Sequence, residues 1–174
     1  MEMSRFYKIF QESFLNLLEG EGYQSFIAGS KRFGYDNTNS DLDIVVYAES
    51  PLRLTGIEIL LSKAGFTRES VSYTDQMSSV WRLGQILHIL IMENIDEFEK
   101  LREEHLAVAE ALKENPVLLK FIQELKPYLP HVKGSEVYRA ILAALAGQEI
   151  EISLDDSKNK KKTINIQDMM NGDT

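Results

Sequence analysis

Apolar residues recur along this chain at two different spacings, and the change of spacing marks out its elements. Residues 4 to 19 carry Phe6, Ile9, Phe10, Phe14, Leu17 and Leu18 at helical intervals, which predicts an amphipathic helix capped by Ser4 and ended by Gly20 and Gly22. A short strand is expected over 23 to 28. Then Gly29-Ser30 opens a turn, 35 to 40 (YDNTNS) forms a loop, and Asp41 to Tyr47 alternates as a strand. Ser50-Pro51 has the form of a helix start, with a capping residue before a first-turn proline. That helix is expected to reach Ala64 and to bury Leu54, Ile57, Leu61 and Ala64, with Gly65 closing it. Strands are predicted over 66 to 73, 80 to 83 and 86 to 92, the last two joined at Gly84-Gln85. The run ILHILIM is almost wholly apolar and belongs at the centre of a sheet.

Beyond residue 94 the helical spacing returns. Asn94 and Glu97 form a capping-box pattern before a helix over 95 to 113, and Asn115-Pro116 starts another to about 126. Pro127 and Pro130 interrupt, and Ser135 caps a third helix ending near Gly147. The tail from 148 is polar, with Lys158, Lys160, Lys161 and Lys162 clustered. Its alternating isoleucines allow a terminal hairpin, and its polarity equally allows disorder. The expected organisation is a mixed α/β (α+β) core over 1–93, a helical region over 94–147, and a polar tail over 148–174.

Composition narrows the chemistry. The 174 residues include no cysteine, which excludes disulfides, thiolate zinc sites and cysteine nucleophiles. A net charge of -8 argues against a general grip on a nucleic-acid backbone, though not against a nucleotide or a local RNA contact. The charged start lacks a secretory h-region, and no apolar run approaches the ~20 residues of a membrane span. A cytoplasmic protein is the expectation.

The candidate chemistry gathers around Gly29-Ser30 and Asp41-Leu42-Asp43. In a strand, Asp41 and Asp43 project from one face, and Leu42, Ile44 and Val46 from the other. Glycine permits a tight turn and close approach of an anion, serine adds a hydroxyl, and Lys31 and Arg32 add positive charge beside them. A nucleoside triphosphate brings Mg²⁺, which carboxylates and phosphates hold together. The plainer reading of the two aspartates is a salt-bridged strand start partnered by Lys31 or Arg32. Arg82 either reaches a triphosphate or lies on a solvated edge. Tyr35 either stacks on a base or packs, and Trp81 reads as core or interface. His105 and His131 have no ligand-like neighbours in the sequence.

The string GSKRFGYDNTNSDLDIVV resembles the DNA polymerase β-like nucleotidyltransferase superfamily in its minimal forms, over residues 5 to 93. The resemblance implies a mixed sheet flanked by helices, an NTP with Mg²⁺ or Mn²⁺, and transfer of an NMP to a hydroxyl of RNA, protein or a small molecule. It places the metal on Asp41 and Asp43 and the phosphates on Gly29, Ser30, Lys31 and Arg32. The superfamily's third acid has no obvious match. Its slot falls on His88, which is then a metal ligand, a base near the attacking hydroxyl, or a core histidine of a site without activity. Alternatively Asp75 or Glu93 supplies the acid. The rival function is a catalytically degenerate binding protein of antitoxin type, with a toxin-like partner or a second copy of itself.

Overall fold

A computed structural model describes residues 3–36, 40–70, 76–125, 134–148, 151–156 and 160–165. The described chain divides into two compact units, one of residues 1–32 with 36–103 and one of 33–35 with 104–174. Asp75, His131, Pro127 and Pro130 lie outside the described residues.

The first unit is a mixed sheet with helices. In chain order its elements are α1 (Met3–Gly20), β1 (Gln24–Ala28), α2 (Gly29–Phe33), β2 (Leu42–Tyr47), α3 (Pro51–Lys63), β3 (Thr67–Arg68), β4 (Ser79–Leu83), β5 (Leu87–Met92) and the start of α4 (Ile95–Glu114). The strands lie in the order β1-β2-β5-β4-β3. Only β2 and β5 run parallel, and the other neighbours are antiparallel. This is the α+β, nucleotidyltransferase-like sheet that the hydrophobic pattern and the resemblance lead one to expect.

Alternation along the strands assigns the two faces. Leu42, Ile44 and Val46 of β2 and Leu87, Ile89 and Ile91 of β5 point one way and are buried against Phe14 and Leu18 of α1 and Ile57 and Leu61 of α3. On the other face Val45 and Met92 pack with Ala28 and with Phe98 of α4. Both faces of the parallel pair are therefore covered, which is why β5 reads as a nearly continuous apolar run.

The helix starts follow their sequence signals. The Ser50 side chain accepts from the Arg53 amide, with Pro51 in the first turn. Asn94 Oδ1 accepts from the amides of Asp96 and Glu97, at 3.0 and 3.2 Å. The Glu97 carboxylate accepts from Gln76 Nε2 rather than closing a capping box. Ala64, expected inside, is the exposed C-cap residue of α3.

The strand expected over 66 to 73 is shorter among the described residues. Only Thr67 and Arg68 pair as β3, both exposed, and the Glu69 amide adds one further bond to Val80 O. The second unit contains the rest of α4, α5 (Pro116–Leu125), α6 (Gly134–Leu145) and an antiparallel hairpin of β6 (Glu151–Asp156) and β7 (Lys160–Asn165). Its core joins Phe33 and Tyr35 to Val108, Leu112, Leu118, Ile122 and Ile141. Tyr35 is thus a packing residue, stacked on Phe33 with ring centroids 5.6 Å apart. Trp81 is likewise buried, in the core of the first unit.

Candidate active site

Register across the sheet builds the site. Ala28 pairs with Asp43, Asp43 with His88, His88 with Arg82, and Arg82 with Thr67. These five residues form one row across all five strands. Asp41, two residues before Asp43, and Glu69, two residues after Thr67, share the face of that row. The lower part of the same face is apolar, so the charged groups collect where β2 and β5 begin.

There the side chains link into a chain of contacts. Arg82 Nη1 donates to Asp41 Oδ2 and Arg82 Nε to Glu69 Oε1, each at 2.5 Å. Glu69 Oε2 stands 3.7 Å from His88 Nε2, and His88 Nδ1 is 2.8 Å from Asp43 Oδ1. An ionised carboxylate can only accept, so the proton of that last bond sits on Nδ1, and Nε2 is the nitrogen on the Glu69 side. Three carboxylates face one guanidinium, which leaves the cluster negative before the imidazole is counted.

Ligand-capable atoms of Asp41, Asp43 and His88 lie within 4.8 Å of one another. Two carboxylates that close suit a hard cation such as Mg²⁺ or Mn²⁺. An imidazole is a better donor to softer transition metals, so the oxygens fit such an ion more closely than the nitrogen does.

Gly29 is fitted to this cluster. Its φ is +66°, and a Cβ built there would lie 2.1 Å from Asp43 Oδ2. The Asp43 carboxylate therefore occupies the space that any other residue's side chain would need. Ser30 follows in the first turn of α2, partly exposed. Lys31 Nζ donates to Gln11 Oε1 at 3.2 Å, and Gln11 Nε2 donates to Ile86 O at 2.9 Å. Buried Gln11 thus ties Lys31 to the residue before β5. Arg32 is exposed.

Three residues stand elsewhere than their sequence context suggests. Asp41 pairs with Arg82 rather than with Lys31 or Arg32, so Arg82 is a half-buried, ion-paired residue and not one on a merely solvated edge. Glu93, at the far end of β5, accepts from the Ser78 hydroxyl at 2.7 Å and lies outside the cluster. The additional acid that does join the cluster is Glu69, which sequence reasoning passed over. Its one signal was alternation with Thr67.

The mixed five-stranded sheet has a nucleotidyltransferase-like fold. Among solved structures the chain is similar to Cid1 in complex with the UTP analogue UMPNPP, with a TM-score of 0.53 and 15% identity over 97% of this chain and 64% of that one. The polymerase core of TRAMP, an RNA surveillance complex, gives a TM-score of 0.49 and 17% identity over 74% and 44% of the two chains. Terminal uridylyl transferase 4 from Trypanosoma brucei, with bound UTP and UpU, gives 0.46 and 12% over 96% and 59%. The chain spans less than two thirds of each of those chains. At these identities the likeness is one of fold. The sequence matches no protein-family model and no curated protein. No helix among the described residues is long and apolar enough to cross a membrane.

Proposed function

We propose that this protein is a metal-dependent nucleotidyltransferase that moves an NMP from an NTP to a hydroxyl of RNA, protein or a small molecule. The observation that carries the reading is the convergence of Asp41, Asp43 and His88 within 4.8 Å, with the Asp43 carboxylate laid on Gly29. The Cid1 likeness supports the same kind of chemistry, since that protein holds a UTP analogue.

In this reaction the acceptor oxygen bonds to the α-phosphorus, the bond to the bridging oxygen of the β-phosphate breaks, and pyrophosphate leaves. Asp41 and Asp43 hold Mg²⁺ or Mn²⁺, which supplies Lewis-acid stabilisation of the charge that develops on phosphate. Gly29 and Ser30 present backbone and hydroxyl donors to the β- and γ-phosphates, and Lys31 and Arg32 offset their charge. His88, fixed through Nδ1 by Asp43, offers Nε2 to receive the hydroxyl proton.

One observation favours a second reading. Arg82 already engages Asp41 and Glu69, as it would in a protein that keeps the fold to bind a nucleotide or a partner protein without chemistry. Calorimetry with Mn²⁺ and a non-hydrolysable NTP tests the site. Wild type is expected to bind the pair, and an Asp41→Asn, Asp43→Asn double variant to lose it. Equal binding by both proteins would overturn the site. Labelled NTP with Mg²⁺, RNA and cell extract then separates the readings, because label transferred by wild type and not by the double variant requires an enzyme.

A further inference from the structure

Arg82 stands in an unusual place for a counter-ion. It belongs to β4, and its partner Asp41 precedes β2. The strand between them, β5, carries His88 directly opposite Arg82. The guanidinium therefore reaches across β5, and its planar fork engages Asp41 through Nη1 and Glu69 through Nε. Asp41 is one of the two oxygen ligands assigned above. Glu69 is not one of them; its backbone follows the edge strand β3, and its carboxylate reaches in to Arg82 and to within 3.7 Å of His88 Nε2.

We propose that Arg82 is an exchangeable counter-ion, held on Asp41 until a divalent cation takes its position and retained throughout by Glu69. This rests on the reading of Asp41 and Asp43 as metal ligands. A cation and a guanidinium compete for the same negative carboxylate at contact distance. Glu69 keeps the displaced guanidinium from leaving, so the exchange moves one hydrogen bond rather than freeing a long side chain. The Nη1 donor released from Asp41 is then available to an anion that enters with the cation, such as a polyphosphate. Such a site takes metal and polyphosphate together in preference to bare metal.

The test is the affinity for Mn²⁺ alone, followed by electron paramagnetic resonance of the free ion. Arg82→Gln is expected to bind Mn²⁺ at least about tenfold more tightly than wild type. Arg82→Lys, which keeps the charge but loses the fork, is expected to fall between them. Glu69→Gln leaves Arg82 wholly on Asp41 and weakens binding. Arg68→Gln removes an exposed charge on the same edge that pairs with Glu58, and is expected to change affinity by less than about threefold.

Arginine side-chain nitrogen spectra of the wild-type protein need no variant. Added Mg²⁺ should shift the Arg82 signal and leave that of Arg68 in place. An unmoved Arg82 signal with Mg²⁺ bound, or an Arg82→Gln protein that binds Mn²⁺ no better than wild type, overturns the exchange and leaves the metal site standing. If neither wild type nor Arg82→Gln binds Mn²⁺, the metal site itself falls, and the exchange with it.

Discussion

His88 and His105 are buried alike, each 6% exposed, and their surroundings have almost nothing in common. His88 sits in the first unit among Asp43, Glu69 and Arg82, with one nitrogen 2.8 Å from a carboxylate. His105 sits in the second unit between rings, 5.2 Å from the centroid of Phe33 and 4.9 Å from that of Tyr138. One imidazole is placed by charge and the other by stacking. Burial therefore says little about what a histidine does, and the chemistry of its neighbours says much more. The first unit gathers ionisable groups around its buried histidine at the end of the sheet, and the second sets its buried histidine among the rings of Phe33 and Tyr138.

The most forceful way to break this contrast is to remove the charge. The Asp41→Asn, Asp43→Asn double variant should lose at least about a thousandfold in nucleotidyl transfer, since charge stabilisation at phosphate is the dominant contribution in this chemistry. Its thermal midpoint should stay near that of wild type, because the amides keep the shape and relieve like-charge repulsion. Transfer assays and thermal unfolding on the same preparations check both. A double variant that transfers label normally would remove the reason for treating the two units differently.

Next in size is the pair of histidines themselves. His88→Asn should lower transfer by about a hundredfold, the usual scale for a general base, with little effect on folding. His105→Phe keeps a ring among rings, so transfer should remain within a few-fold and stability within about 1 kcal/mol of wild type. Equal losses of transfer in the two variants would show that the histidines do not differ in role. Steady-state rates and urea unfolding measure the four quantities involved.

Two glycines sharpen the comparison further. Gly29 and Gly147 have similar positive φ angles, +66° and +78°, and differ in what a side chain would meet. At Gly147 a Cβ finds nothing within 4 Å, so Gly147→Ala should cost only the ~1–2 kcal/mol of a left-handed alanine. At Gly29 the Cβ collides with the Asp43 carboxylate as well. Gly29→Ala should therefore add a displaced Asp43 to the same backbone strain, with weaker Mn²⁺ binding beside the lower unfolding midpoint. If the two alanines behave alike in Mn²⁺ titration, the fit of Asp43 to Gly29 has no functional weight.

Much of this was legible in the sequence, for local reasons. Alternation over Asp41–Tyr47 put both aspartates on one face, and the same rule over β5 put His88 on the matching face of its strand. Capping residues at Ser50, Asn94 and Asn115 marked helix starts that the structure keeps. The remainder depends on pairing between distant segments. Glu69 follows a two-residue edge strand whose side chains are both exposed, so no hydrophobic pattern announces it. Arg82 finds Asp41 from 41 positions away, and Gln11 finds Ile86 from 75. Neither pairing leaves a mark on its own neighbourhood. Gln11 also shows the limit of patterning in a helix, because a polar residue on α1 reads as solvent-facing until the partners that bury it are known.

The smallest expected effect lies in the aromatic core. Burial raises the pKa of the Tyr138 phenol above its ordinary 10.0, with the Glu104 charge acting in the same direction and the hydrogen bond and charge of Arg139 opposing both. The fold thus favours the protonated ring. Its contribution to stability is whole below pH 10 and is lost as pH climbs through the raised value, because the unfolded chain releases the proton first. Tyr138→Phe removes that dependence. The readout is the difference between the two proteins in urea unfolding from about pH 8 to 11, which cancels whatever the two have in common. The difference should be flat up to about pH 10 and then drift in favour of phenylalanine by the equivalent of a fraction of a proton, since the ring is only partly shielded. A drift in the opposite direction would mean that the ionised ring is the favoured one, with Arg139 outweighing burial.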